Sequence, residues 1–273
     1  MSAPVDVHAE VLANTRLSPD YNVLVLAAPA IASAAQAGQF VMIRTTSGTD
    51  PLLRRPFSIF EVLRHQGAAP PAISILCKRV GVGTSHLFDA AAGDYLDCLG
   101  PLGKPFTPVA PPAEAWMIAG GVGLAPFATL TDELRAAGTS IRLFYGGRSH
   151  TDLFYLDWFE SRGVSLDLAT EDGSRGSRGR VTEPLDLALS AHPASAGLML
   201  YACGPEAMLK AVTSLAQRHR RPSQVSTERI MGCGMGGCYS CVIKVRDAAA
   251  GRVHFVRSCL NGPVFDGDHV VWE

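Results

Sequence analysis

Long apolar runs are missing from this chain. No stretch approaches the roughly eighteen apolar residues that span a bilayer, so no membrane segment is expected. The first residues, MSAPVDVHAEVL, lack the basic-then-apolar layout of a signal peptide, which points to the cytoplasm. A surplus of one charge is also missing. Lys and Arg total 24 against 25 Asp and Glu, for a formal net charge of −1, so there is no electrostatic footprint for nucleic acid. No Ser-His-Asp arrangement and no paired carboxylates stand in a motif context, which leaves no signature of hydrolytic chemistry. His86, His254 and His269 need no role beyond surface or strand positions.

Cysteine and glycine are what the chain has instead. Three of the seven cysteines fall within 232–241, GCGMGGCYSC, and Cys259 follows in RSCLNGPVFDG. An odd count with this clustering, in a cytoplasmic chain, favours a metal site over disulfides. At 273 residues the chain is long enough for two domains and a small third.

Short alternating runs fill residues 5–108: VDVHAEVL, YNVLVLAA, GQFVMIRT, RRPFSIFEVL, AISILCKRV and DYLDCLGPLG. Their number and spacing predict a closed antiparallel β-barrel. One helix is expected over 84–93, capped by Thr84 or Ser85 and ended by Gly93. PVAPPAEA (108–115) reads as a linker, and strands then alternate with helices up to about residue 220. That alternation predicts a parallel sheet covered on both faces. The fold expected is therefore multidomain: a β-barrel over 1–108, an α/β nucleotide-binding domain over 113–220, and a small cysteine-bearing unit over 221–273. GSRGSRGR (173–180) reads as a mobile loop.

Four segments carry candidate chemistry. AGGVGLAP (119–126) follows a strand and opens a helix, where glycines admit a pyrophosphate to backbone amides. YACGP (201–205) ends a second strand, with Pro205 opening the next helix. In RRPFSI (54–59), Arg55 and Ser58 can present a guanidinium and a hydroxyl to a phosphate and a ribityl chain. KRVGVGT (78–84) feeds a second helix N-terminus. Taken singly, each loop also reads as a plain turn, and Arg55 as a surface ion-pair residue. The spacing Cys233-x4-Cys238-x2-Cys241, with Cys259 after seventeen intervening residues, is the plant-type pattern for a [2Fe–2S] cluster. Gly232, Gly234, Gly236 and Gly237 would let the loop wrap an inorganic core, and Arg229, Lys244 and Arg257 stand near enough to offset its charge. A structural zinc held by four cysteines is the rival, although such sites usually pair two C-x2-C knuckles. Cys77 and Cys98 sit in strand patterns as core residues.

Together these segments resemble the ferredoxin–NADP reductase superfamily, a flavin-binding barrel followed by a nicotinamide-binding α/β domain. Arg55, Phe57 and Ser58 match its R-x-[YF]-[ST] flavin motif, with Phe57 in place of the more usual tyrosine. Gly120, Gly121, Gly123 and Pro126 match G-G-x-G-x-x-P, and Cys203, Gly204 and Pro205 match C-G-P. The resemblance implies FAD held by Arg55, Pro56, Phe57, Ser58, Leu76, Cys77, Lys78, Gly83 and Thr84, with Cys77 and Lys78 contributing backbone contacts. It implies NAD held by the glycines, Pro126 and the Cys203–Pro205 turn, and a cluster held by Cys233, Cys238, Cys241 and Cys259. NAD is favoured over NADP by resemblance alone, since Arg148, Arg175, Arg178 and Arg180 are cations available to a 2′-phosphate. A nicotinamide moves two electrons as hydride and a cluster moves one. A flavin, which does both, belongs between them.

ERIMGCGMGGCYSCVIKV with RSCLNGPVFDGDHVVW, and ATEDGS…GRVT before them, is similar to the electron-transfer subunits of NAD-linked (class 1B) dihydroorotate dehydrogenases. That resemblance covers nearly the whole chain. It implies an FMN-bearing catalytic partner in a 2+2 heterotetramer, with electrons passing from dihydroorotate through FMN, cluster and FAD to NAD+. Two alternatives stand beside it: a NAD(P)H-dependent reductase subunit serving another oxidoreductase or oxygenase, and a zinc-stabilised, non-catalytic scaffold.

Overall fold

Period-two burial shapes the N-terminal unit, as in β1 (Val5–Arg16), where Ala9 and Val11 are buried between the exposed His8 and the half-buried Glu10. The computed structural model describes residues 3–46, 48–64, 70–247 and 251–272. After β1 come β2 (Tyr21–Ala27), α1 (Pro29–Ala34), β3 (Phe40–Arg44), β4 (Arg55–Ser58), β5 (Val62–Leu63), β6 (Ala72–Lys78), α2 (Val82–Asp89) and β7 (Tyr95–Leu102). The strands pair antiparallel in the order β4-β3-β7-β1-β2-β6-β5.

RRPFSIFEVL, expected as one strand, divides into β4 and β5, and the division closes the barrel. β4 pairs with β3 at one edge of the sheet and β5 with β6 at the other. Between them, the Ile59 amide donates to the Gln39 carbonyl at 3.0 Å and the Phe60 amide to the Ser74 carbonyl at 2.8 Å. One segment thus satisfies both sheet edges, which would otherwise be left unpaired.

Two local readings differ from the structure. The helix expected at 84–93 starts two residues earlier, with Gly81 at its N-cap, and ends at Asp89. Thr84 is inside the first turn, where its hydroxyl accepts the Val80 and Gly81 amides at 2.8 and 3.0 Å. Gly93, at φ +92°, turns the chain beyond the helix end. α1 has no counterpart among the expected elements; six residues are too few to show helical periodicity, and only Ile31 and Ala32 are buried.

The second unit comprises β8 (Glu114–Gly120), α3 (Phe127–Ala136), β9 (Ile141–Gly147), α4 (Leu156–Glu160), β10 (Ser165–Thr170), β11 (Ser177–Arg178), α5 (Thr182–Ala191), β12 (Leu198–Cys203), α6 (Glu206–Arg218) and β13 (Ser223–Ser226). Leu124, Phe127, Leu130 and Leu134 are all buried, as their helical spacing requires. β11 lies within GSRGSRGR, so that stretch is paired to β10 through Ala169–Ser177 and Thr170–Arg178 and is not simply a loose loop.

The remaining elements are β14 (Val242–Arg246), β15 (Val253–Arg257), α7 (Ser258–Asn261) and β16 (Val264–Asp266). The α/β sheet runs β11-β10-β9-β8-β12-β13-β16, parallel except for β16. β13 and β16 both come from residues 221–273, so the C-terminal stretch shares a sheet with the nucleotide domain. The chain leaves β8 through β9 and β10, then returns to β12 on the other side. The strand ends of β8 and β12 therefore flank the topological switch point, where open α/β sheets take ligands.

Barrel and α/β domain share a core containing Tyr21, Val23, Phe60 and Leu76 from one and Leu124, Phe127 and Tyr145 from the other. The Thr129 amide and hydroxyl both donate to the Phe60 carbonyl, at 3.1 and 2.9 Å. Among the described residues no helix is long and apolar enough to cross a membrane.

Candidate functional site

A groove of about 940 Å³ opens between the barrel and the rest of the molecule. Arg55, Pro56, Phe57, Ser58, Leu76, Lys78, Gly83 and Thr84 all line it. Cys77 does not: its thiol is fully buried in the barrel core, where burial pushes it up to about 12, while its strand pairs Cys77 with Asn22. The Arg55 guanidinium donates to the Leu53 carbonyl at 2.8 Å, and among the described residues no carboxylate pairs with it. A half-buried cation held at the groove wall fits a phosphate. Gly83 sits where a side chain would press on the Thr45 hydroxyl, at 3.1 Å, so α2 begins tight against the wall.

A crevice of about 460 Å³ lies at the switch point. Its floor is two interlocked turns. A side chain at Gly123 would run into the Cys203 carbonyl, and one at Gly120 would lie 2.9 Å from the Met208 sulfur and Pro205 Cδ. Gly121 (φ +53°) and Gly204 (φ +150°) hold conformations that favour glycine. The glycines span one turn of 3-10 helix, Gly121–Leu124, and Pro126 stands at the N-cap of α3. Cys203 is buried, and burial pushes its thiol well above the usual range. Arg148, Glu171 and Arg180 also line the crevice, so it presents both signs of charge.

Groove and crevice share the walls formed by Lys78, Val122 and Glu228. Glu228 had no signal in the sequence, because nothing at its position marks it as belonging to either loop. It opens to the groove, yet the surrounding protein raises its carboxyl above the ordinary range.

The cysteine loop adjoins the groove through residues other than those shared with the crevice. Cys241 and Cys259 are buried in a small core with Phe40, Met42, Leu99, Leu102 and Met231. Phe40 and Met231 also line the groove, so the small core that holds the buried cysteines reaches the groove wall. Cys238 is exposed and Cys233 half-buried. Cys238 interacts electrostatically with Cys233, and Cys259 with both Cys241 and Cys233, so the four thiols are neighbours. Among the described residues no three ligands converge on a single metal ion.

The Cys233 sulfur accepts the Gly237 amide at 3.2 Å and the Met235 amide at 3.4 Å. Gly234 and Gly236 adopt φ of +71° and +83°, and a side chain at Gly234 would press into Met42 at 2.5 Å. Arg257 donates to the Gly236 carbonyl at 2.9 Å and stacks on Tyr239 at 4.8 Å. Arg229 is instead paired with Glu206 at 2.5 Å.

A flavin-sized groove between a nucleotide crevice and a four-cysteine loop defines an NAD-linked flavin and iron–sulfur oxidoreductase module. Comparison with known families agrees along the chain. Residues 8–106 match the oxidoreductase FAD-binding domain, 117–214 the oxidoreductase NAD-binding domain, and 228–271 the iron–sulfur cluster binding domain of dihydroorotate dehydrogenase B. The dihydroorotate dehydrogenase B (NAD(+)) electron transfer subunit of Desulforamulus reducens is 36% identical over 97% of this chain and 98% of its own. That of Geobacillus thermodenitrificans is 37% identical over 91% of each. The chain therefore belongs to the family of dihydroorotate dehydrogenase B electron transfer subunits. Among solved structures, a chain from an NADH-dependent reduced ferredoxin–NADP oxidoreductase superposes with a TM-score of 0.83 at 27% identity, covering 97% of this chain and 90% of that one. The Neisseria gonorrhoeae ferredoxin–NADP+ reductase shares the fold, with a TM-score of 0.63 at 17% identity over 78% of this chain and 91% of its own.

Proposed function

We propose that this chain passes electrons between NAD(H) in the crevice, FAD in the groove and a [2Fe–2S] cluster in the cysteine loop. At the cluster it would exchange them with an FMN-bearing dihydroorotate dehydrogenase subunit. The complex, a cytoplasmic 2+2 heterotetramer, would convert dihydroorotate and NAD+ into orotate and NADH. The observation that carries this reading is contiguity. Lys78, Val122 and Glu228 wall both crevice and groove, and Phe40 and Met231 join the groove to the buried cysteines.

Bound FAD supplies the interchange between hydride and single-electron transfer. The protein binds and orients. Arg55 would hold the phosphates, with amides of the first turn of α2, from Gly83 and Thr84, available to them. Phe57, Pro56, Leu76 and Ser58 line the groove where the rest of the flavin would lie, and Lys78 stands at its junction with the crevice. Cys77 supports the groove from inside the barrel. Gly120, Gly121, Gly123 and Pro126, with Cys203, Gly204 and Pro205, shape the nicotinamide floor. Cys233 and Cys238 would hold one iron, Cys241 and Cys259 the other.

The test is the purified chain. It should contain FAD and iron, oxidise NADH with artificial dyes, and turn over dihydroorotate only with its partner. Dihydroorotate oxidation by the chain alone would contradict the division of labour. The structural likeness to the reduced ferredoxin–NADP oxidoreductase chain favours, as a second reading, the same module serving another catalytic subunit. Pull-down from the native host, identifying the co-purifying subunit, separates the two.

A further inference from the structure

Groove and crevice are each walled by residues of both domains, so the approach of nicotinamide to flavin depends on how the two domains are held together. At the mouth of the crevice one side chain crosses the boundary between them. Tyr21 belongs to β2 of the barrel, and its hydroxyl donates to Asp152 Oδ1 of the α/β domain at 3.1 Å. Asp152 is only 6% exposed, and its second oxygen accepts the Arg148 amide at 3.1 Å. The Asp152 carbonyl in turn accepts the Tyr145 hydroxyl at 2.9 Å, and that hydroxyl also lies 3.3 Å from the Gly121 carbonyl. Tyr21 is thereby linked through Asp152 and Tyr145 to the second glycine of the nicotinamide loop. The link is also close in space: a Cβ on Gly121 would stand 3.7 Å from the Tyr21 hydroxyl.

On its other side Tyr21 packs against the residues between the two cavities. Lys78, which walls both cavities, holds its ammonium 5.0 Å from the centre of the Tyr21 ring, and Phe154 packs against the same ring at 4.7 Å. Burial, followed by the Asp152 charge, raises the phenol far above its ordinary range, so Tyr21 remains a donor at any working pH. Among the described residues, other barrel-to-domain hydrogen bonds run to α3, as from Thr129 to Phe60 and from Ala37 to Glu133, or join Thr107 to Tyr201 and Gln224, and none of these reaches the glycine loop.

We propose that Tyr21 and Asp152 form a positioning clasp that sets the nicotinamide loop against the flavin groove and so fixes the hydride-transfer distance. The proposal rests on the reading of groove and crevice as flavin and nicotinamide sites. Its physical basis is the steep dependence of transfer on approach, since a misplacement of about 1 Å costs on the order of a hundredfold in rate. Neither residue carries protons or hydride in this account; both act through the loop they hold.

Anaerobic stopped-flow reduction of the FAD- and cluster-loaded chain by NADH tests it, with Tyr21→Phe, Asp152→Asn and the double variant. The saturating rate of flavin reduction per bound FAD should fall about tenfold or more in Tyr21→Phe. The NADH concentration for half-saturation should stay within about threefold, because an interaction expressed mainly in the transition state has been lost. The double variant should be no slower than the slower single variant, as expected for two residues acting through one bond. A merely structural defect would lower FAD content or amplitude and leave the rate per bound flavin unchanged. Rates within about twofold of the wild type in Tyr21→Phe, or singly additive losses in the double variant, overturn the clasp. If the wild-type flavin itself is not reduced by NADH, the underlying cofactor reading fails, and the clasp with it.

Discussion

Two glycine-rich loops serve this molecule in opposite ways. At the nicotinamide crevice, Gly123 is packed directly on the Cys203 carbonyl, and Gly120 on Pro205 and Met208. The loop is completed by the chain itself. In the cysteine loop, a side chain at Gly234 or Gly236 would press on Met42 or Leu260, but one at Gly237 would meet nothing within 4 Å, and Cys238 is exposed. That loop is anchored on one side and open on the other. Glycine in the first allows two backbones to touch, and in the second it lets backbone amides turn toward sulfur. The comparison teaches that a preformed site is damaged by added volume, whereas a site finished by its cofactor is damaged by losing a ligand.

Removing a ligand should have the largest effect. Cys238→Ser should bring iron to background and abolish partner-dependent dihydroorotate turnover, while NADH-to-dye activity stays within about twofold because the flavin precedes the cluster. Iron and flavin assays on the same preparation check both halves. Adding volume to the preformed loop comes next. Gly123→Ala should destabilise the fold by about 1–3 kcal/mol, measured by denaturant unfolding, and sharply reduce NADH-to-dye turnover. Arg55→Ala, on the groove wall, should weaken FAD retention by about 1.5–3 kcal/mol, or roughly tenfold to a hundredfold in dissociation constant. Normal FAD occupancy at dilution would remove Arg55 from the site. The smallest effect belongs to Gly237→Ala, which enters open space at an ordinary φ and should change stability by less than about 0.5 kcal/mol with iron content unaltered. If Gly237→Ala proves as damaging as Gly123→Ala, the contrast between the loops is wrong.

Much of this was legible before the fold was known, and for identifiable reasons. Arg55–Ser58, Gly120–Pro126 and Cys203–Pro205 announce themselves because phosphate binding needs glycine, arginine and helix starts at fixed local spacings. The cysteines do so because iron needs thiolates. The alternation of strands and helices also survives in the fold, including the buried face of α3. What was not legible depends on three-dimensional closure. The split of RRPFSIFEVL into two edge strands, and the recruitment of β13 and β16 into the α/β sheet, are long-range pairings with no local signature. Tyr21, Asp152 and Glu228 matter only because distant segments meet; 131 positions separate Tyr21 from Asp152. The early start of α2 arises because Gly81, with no side chain, occupies the cap position while Thr84 folds back from the first turn.

The central claim is the order of the three sites, with the groove standing between crevice and cysteine loop. It is tested most directly by NADH reduction of the chain stripped of FAD but retaining its cluster, against the fully loaded chain. The account predicts that NADH bleaches both flavin and cluster absorbance in the loaded chain and leaves the cluster oxidised when FAD is absent. Reduction of the cluster by NADH at an undiminished rate without FAD would contradict it.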